Sequence, residues 1–342
     1  MRDEHDKVIH LIYGSDANYM FPTAVSAASA AFQISQEWGL IVHLFDFGAS
    51  DAQCAEMADM LRAVNSASRF ERHKIDVSEY RMFGAWRGSL ATYSRMFVPE
   101  ILSDVDWAIY VDGDTLWLGD IGELWQLRNA SVSILASVDP PTPSGKPSAE
   151  FDWFRERKLE IDEKTYFCAG LILMNLVKMR RECMTARCRA FLTKYPIPRI
   201  VDQTVLNYVL QGDSQLLPPQ WGVFSTWHKG VDLSRPACVH YVNDVPWSRK
   251  KINRLLSDVV MLWFHFCWDV LGRDVLRMDV PWLGRLWRRV AFVLLKNNQW
   301  VLFHPYIRAR LRNTHGIPVM TMRCVREQWK RLKVRDVSEK ER

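Results

Sequence analysis

Trp107-Ala108-Ile109-Tyr110-Val111-Asp112-Gly113-Asp114-Thr115 is the stretch on which the reading of this chain turns. Five apolar residues followed abruptly by two carboxylates read as a buried strand ending in a polar turn. Asp112 and Asp114, one residue apart with glycine between them, can both face a single hard cation. Oxygen ligands joined by one imidazole suit Mn2+ or Mg2+, ions that complete their coordination with phosphate and water. Asp-Gly-Asp is also a good turn sequence, so the spacing alone leaves both readings open.

Working outward, Val8–Tyr13, Leu40–Phe45, Ile134–Val138 and Phe167–Asn175 are further short apolar runs. Between them, Pro22–Gln36, Ser50–Ala63 and Ser89–Ile101 carry helical spacing. This alternation predicts an α/β fold, a Rossmann-like and largely parallel sheet with helices on both faces. Ligands of such sheets sit beyond the carboxyl ends of the strands. Three polar clusters fall there: Gly14-Ser15-Asp16-Ala17-Asn18, Asp112-Gly113-Asp114, and His240 after Ala237–Val239. If the three strands are parallel, the clusters meet at one edge. No G-x-G-x-x-G or G-x-x-x-x-G-K-[ST] signature is present, which argues against a dinucleotide dehydrogenase or a P-loop enzyme. The haloacid-dehalogenase type of phosphatase, with a Thr two places beyond its second Asp, is disfavoured because Leu116 stands there.

The 342 residues are 48% apolar and 25% charged, ordinary globular usage. Seven cysteines, at 54, 168, 183, 188, 238, 267 and 324, form no C-x-x-C pair and read as free thiols. Met1–Lys7 is charged and lacks an apolar secretory segment, so a cytoplasmic protein is expected. The net charge of +6 is divided unevenly: residues 1–248 hold 24 Lys+Arg against 31 Asp+Glu, while residues 249–342 hold 21 against 8. An acidic body, 1–248, and a basic region, 249–342, are therefore expected. Six of the fifteen tryptophans lie in the basic region, and Pro281–Phe292 mixes them with arginines. That mixture suits helices lying on the anionic inner face of a membrane. The apolar run Val259–Trp268 is too short to span a bilayer. A helical subdomain with solvated arginines is the alternative, and no nucleic-acid fold is recognisable.

Eight segments in order over about residues 8–248 resemble the retaining glycosyltransferases of family 8, the group of bacterial lipopolysaccharide galactosyl- and glucosyltransferases and glycogenin. They are Ile12–Tyr19, Ala91–Met96, Pro99–Leu102, Tyr110–Thr115, Ala169–Leu176, Asp202–Asn207, Leu217–Trp221, and His240-Tyr241 through Pro246-Trp247. The resemblance implies the GT-A fold, a UDP-sugar donor and Mn2+ (or Mg2+) held by Asp112, Asp114 and His240. It places Asp16 and Asn18 at the uridine and Tyr93 and Arg95 near the nucleotide or sugar. Asp139 falls beside the transferred sugar or acceptor, and Asp202 and Gln203 at the sugar hydroxyls and anomeric carbon. Without the resemblance, His240 reads as a core histidine and Arg95 as a surface charge, while Asp202 can cap a helix starting at Gln203, a role compatible with a catalytic one.

The implied reaction is transfer of galactose or glucose from UDP-sugar to a lipopolysaccharide or other lipid-linked saccharide, by a protein peripheral to the membrane. Two departures bear on it. Cys168 stands where the family commonly has Asn, and no Lys precedes Pro246, which leaves Arg249, Lys250 or Lys251 to substitute. Those departures suit a non-catalytic nucleotide- or glycan-binding module of the same fold; the intact carboxylates and His240 suit the enzyme.

Overall fold

The structure, a computed structural model, describes residues 7–85, 88–139, 149–195, 201–225, 236–242, 245–247 and 258–273, together with Glu327. The chain divides into two compact units, Met1–Val223 with Pro236–His240, and Phe224–Arg235 with Tyr241–Arg342.

In chain order the first unit begins with β1 (Val8–Ser15), α1 (Met20–Gln33), β2 (Gly39–Asp46), α2 (Asp51–Val64) and β3 (Arg69–Lys74). It continues through α3 (Ser94–Ile101), β4 (Trp107–Val111), β5 (Thr115–Trp117), α4 (Ile121–Trp125) and β6 (Ile134–Val138). Then follow α5 (Ala149–Glu156), β7 (Phe167–Asn175), α6 (Leu176–Arg181), α7 (Met184–Lys194), α8 (Val201–Val209) and β8 (Ser214–Leu216), and after them β9 (Val223–Phe224) and β10 (Cys238–His240). The main sheet has the order β3-β2-β1-β4-β7-β6-β8. β3, β2, β1 and β4 run parallel, as do β6 and β8, whereas β7 is antiparallel to both β4 and β6. The sheet is thus mixed, and β1 and β4 bring their carboxyl ends to the same edge.

One expectation is corrected. The strand leading into His240 does not join the parallel sheet; β10 pairs antiparallel with β5, His240 opposite Thr115. An apolar tripeptide has no directional signal, and β5 follows Asp114 at once, so it supplies an edge on which β10 closes. His240 reaches the carboxylates by this second route.

Small residues let α1 approach closely. Ala24, Ala27, Ala28, Ala30 and Ala31 are buried, as are Ser26 and Ser29. The Ser26 hydroxyl lies 2.6 Å from the Thr115 hydroxyl, and Ser29 accepts a 3.0 Å hydrogen bond from the Trp117 N–H. These bonds satisfy groups of β5 that burial would otherwise leave unpaired, and they hold the segment following Asp114. On α2, Ser50 and Gln53 form a capping box, and the Gln53 amide also donates to the Ala17 carbonyl at 2.7 Å, tying the loop after β1 to this helix. The other face of the sheet is covered by α3, α7 and α8, whose apolar residues share one core with Ile12, Tyr110, Ile172 and Met174.

In the second unit, α9 (Asp258–His265) continues into a π-helical turn, Phe266–Val270. Leu262, Trp263, Phe264, Phe266 and Cys267 are buried, so this part of the apolar run is packed inside the protein. Pro281–Phe292 and the candidate substitutes Arg249, Lys250 and Lys251 lie outside the described residues. Among the described residues no helix is long and apolar enough to cross a membrane.

Candidate active site

The site is built where β4 ends. Asp112 keeps its backbone N–H bonded to the Gly170 carbonyl at 2.9 Å, so the carboxylate leaves the sheet from a fixed point. Gly113 packs against α1: a Cβ there would come within 2.2 Å of the Thr23 hydroxyl oxygen. Only glycine allows the chain to pass between the two carboxylates so close to the helix. On the other side the ladder between β6 and β7 breaks. The partner jumps from Ile172 opposite Ala136 to Cys168 opposite Ser137, so Ala169, Gly170 and Leu171 bulge out of register with β6. The bulge presses Gly170 against the metal ligands predicted from sequence. A Cβ on it would stand 2.3 Å from His240 Cε1 and 3.1 Å from Asp112 Oδ2.

Three ligand atoms converge as a result. His240 Nε2 is 3.2 Å from Asp114 Oδ1 and 3.8 Å from Asp112 Oδ2. Adjacent ligands of an octahedral ion stand roughly 3 Å apart, so two carboxylates and an imidazole here fit a divalent cation. Burial opposes a charge on His240, but Asp114 outweighs it and holds the imidazole well above its ordinary value. Burial also raises Asp112 to about 6, against the pull of Arg95 and with Asp114 adding to the rise.

Arg95, carried by α3, braces the cluster from below. It is buried. It donates to Asp112 Oδ1 at 2.6 Å and to the Ala169 carbonyl, and its Nε lies 2.9 Å from Asp202 Oδ2. Its guanidinium also covers the Tyr110 ring at 4.6 Å. Asp202 sits in the first turn of α8, and its carboxylate is directed to Arg95. The same helix face carries Gln203 and Asn207. Gln203 Oε1 accepts from the Ala169 N–H at 3.1 Å, using the donor that the bulge releases from the ladder, and its amide nitrogen is 3.4 Å from Asp139. Asn207 accepts from the Phe167 N–H and donates to its carbonyl, both at 2.9 Å. Asp139 lies at the carboxyl end of β6, where burial raises it to about 6.

The structure therefore joins Arg95, Asp112, Asp114, Asp202 and His240 into one network and sets Gln203 and Asp139 beside it. Asp16 and Asn18 share no hydrogen bond with this network among the described residues. They form a turn at the end of β1, the Asn18 N–H donating to Asp16 Oδ1 at 2.9 Å, with Asn18 exposed. The Tyr93 hydroxyl donates to the carbonyls of Phe83 and Gly84 at 2.8 and 2.9 Å.

The profile of glycosyl transferase family 8 matches residues 10–251. The chain belongs to glycosyltransferase family 8. It is 27% identical over 258 residues to the lipopolysaccharide 1,3-galactosyltransferase of Salmonella typhimurium, covering 70% of this chain and 72% of that one. It is 22% identical over 291 residues to general stress protein A of Bacillus subtilis, covering 79% and 98%. The crystal structure of the galactosyltransferase LgtC in complex with donor and acceptor sugar analogs superposes with a TM-score of 0.61 at 22% identity, over 81% of this chain and all of that one. The fold is accordingly that of the GT-A glycosyltransferases.

Cys168 is buried, with its sulfur 3.9 Å from His240 Nδ1, the ring atom away from Asp114. It touches the back of a metal-ligand candidate. Gly170 and the Ala169 carbonyl lie within the segment Ala169–Leu176, and only the bulge shows what they touch. The segment's small residues, Cys168-Ala169-Gly170 inside an otherwise bulky strand, were the available signal.

Proposed function

We propose that this family 8 member is a retaining hexosyltransferase. It moves galactose or glucose from a UDP-sugar to a lipopolysaccharide-type, lipid-linked saccharide. The observation that carries the reading is the convergence of Asp112, Asp114 and His240 at the strand-end edge where the loop after β1 also opens. The acceptor class is supported by the lipopolysaccharide galactosyltransferase among the relatives.

Asp112, Asp114 and His240 would hold Mn2+ or Mg2+. Such an ion supplies Lewis-acid neutralisation of the charge developing on the departing diphosphate. The protein's own residues do the positioning. Asp16 and Asn18 bind the uridine from the loop after β1, while Tyr93 and Arg95 shape the floor near the nucleotide and sugar. Gln203, fixed by the Ala169 N–H, and Asp202, fixed by Arg95, face the sugar hydroxyls and the anomeric carbon. Asp139 accepts from a hydroxyl of the transferred sugar or of the acceptor. Charge on the anomeric carbon becomes oxocarbenium-like, and nearby carboxylate and amide oxygens stabilise it. The bond from that carbon to the β-phosphate oxygen breaks, and the bond to the acceptor oxygen forms on the same face. The acceptor proton passes to the departing phosphate. NMR of the product formed from a UDP-α-hexose tests this: an α-linkage is expected, and a β-linkage would overturn the retaining assignment.

A second reading rests on Cys168 behind His240: a module that binds nucleotide or glycan without transfer. Persistent UDP binding with no turnover on any saccharide acceptor would favour it. Attachment of residues 249–342 to the anionic inner face of a membrane is proposed from their charge and tryptophans.

A further inference from the structure

On the same face of the sheet as α3, but at its edge, three histidines line up across three strands. In β3 the period of two places Glu71 and His73 on one side, and parallel register sets His43 of β2 opposite Glu71. His10 Nδ1 is 2.9 Å from His43 Nε2, and His43 Nδ1 is 3.0 Å from His73 Nε2. The Glu71 carboxylate joins them, its Oε2 3.5 Å from His43 Nδ1, while its Oε1 is held by Arg69 at 2.8 Å.

Neutral histidine has one N–H and one lone pair. If His43 donates its Nε2–H to His10 and His73 carries its proton on Nδ1, the lone pairs of His43 Nδ1 and His73 Nε2 face each other beside Glu71. Three acceptor atoms then share one point, His43 Nδ1, His73 Nε2 and a Glu71 oxygen, all within 4.8 Å of one another. A shared proton bridges only two of them; a cation answers all three. Ligands of a tetrahedral zinc ion stand roughly 3.3 Å apart, between the two spacings seen from His43 Nδ1. Two imidazoles and one carboxylate suit zinc-class ions better than Mn2+ or Mg2+. His10 behind His43 and Arg69 behind Glu71 occupy the outer positions that fix tautomer and carboxylate orientation in metal sites.

We propose that His43, Glu71 and His73 form a second divalent-cation site, selective for zinc-class ions, that clips edge strand β3 to β2. It is distinct from Asp112, Asp114 and His240, which lie beyond β4, three strands away. Its position at the sheet edge makes its role structural: a metal there guards an edge strand that carries its neighbour on one side only.

Co2+ is the probe, added to the full chain and followed by visible absorption. Asp114→Asn is expected to retain tetrahedral Co2+ bands. His73→Gln and Glu71→Gln are expected to lose them, or to need at least ten times more Co2+, with unchanged circular dichroism. Zn2+ is expected to raise the melting temperature of the wild type and of Asp114→Asn, and not of Glu71→Gln. Glu71 is 39% exposed in its side chain, so its replacement decides the matter if His73→Gln fails to fold. Absence of tetrahedral bands in Asp114→Asn would overturn the site, as would bands unchanged in Glu71→Gln. An intense near-ultraviolet thiolate band would place the ion on cysteine and overturn it equally.

Discussion

Gly170 contributes no side chain, yet His240 and Asp112 pack directly against it. A methyl group there would meet the His240 ring at 2.3 Å, with the ring backed by Cys168, so His240 must move. Gly170→Ala is expected to lower sugar transfer about 100-fold, since displacing a positioned group by an ångström costs that much. The fold should survive, as judged by circular dichroism; unchanged kcat/KM would contradict the packing described. Asp139 gives a pH-dependent test. Burial raises its carboxyl from 3.8 to about 6 in the folded protein, so the folded state there holds a proton that the unfolded chain releases. The resulting cost to stability is absent below pH 3.8, grows between 3.8 and 6, and is complete above 6. Asp139→Asn should therefore raise the melting temperature of the ligand-free protein more at pH 7.5 than at pH 4.5. An equal change at both values, or a loss at pH 7.5, would show that Asp139 is not held in a disfavoured charged state.

Between elements, Arg95 is the tie that joins α3, β4, β7 and α8, through Asp112, the Ala169 carbonyl and Asp202. Arg95→Ala would leave two carboxylates without their cation, which should cost about 3–5 kcal/mol of stability measured by urea unfolding. A loss within 1 kcal/mol would mean that the brace is not structural. This tie also marks where sequence reading stops. Buried strands such as Trp107–Val111 and Phe167–Asn175 were legible because short apolar runs bounded by polar turns have few other uses. The helix over Ser50–Ala63 was legible from its apolar spacing, and the structure adds the capping box of Ser50 and Gln53 at its start. For Asp202 local pattern leaves a capping and a catalytic role equally open, because it sees only neighbours, whereas its partner Arg95 is brought to it by the fold. The direction of β10 and the bulge at Ala169–Leu171 were illegible for the same reason: both are settled by which edge is free to pair. Asp112, Asp114 and His240 stand out together as candidate metal ligands because they fall in a family-like order, and the structure brings them within reach of one another.

Across the whole molecule, charge is divided between an acidic amino-terminal part and a basic carboxyl-terminal part. Basic residues near an anionic bilayer contribute about 1 kcal/mol each, and salt screens them. The full chain should therefore co-sediment with phosphatidylglycerol vesicles at low salt, much less at about 0.5 M salt, and not with phosphatidylcholine. Equal recovery on both lipids, or none on either, would contradict the proposed membrane surface. At the strand-end edge, Asp112, Asp114 and His240 are proposed to form a metal-dependent diphosphate site. Calorimetric titration of UDP into wild type and Asp114→Asn, each with and without Mn2+, tests it most directly. Binding that requires Mn2+ in the wild type and falls at least tenfold in Asp114→Asn is the expected result. UDP binding that is equally tight without Mn2+, or unchanged in Asp114→Asn, would contradict it.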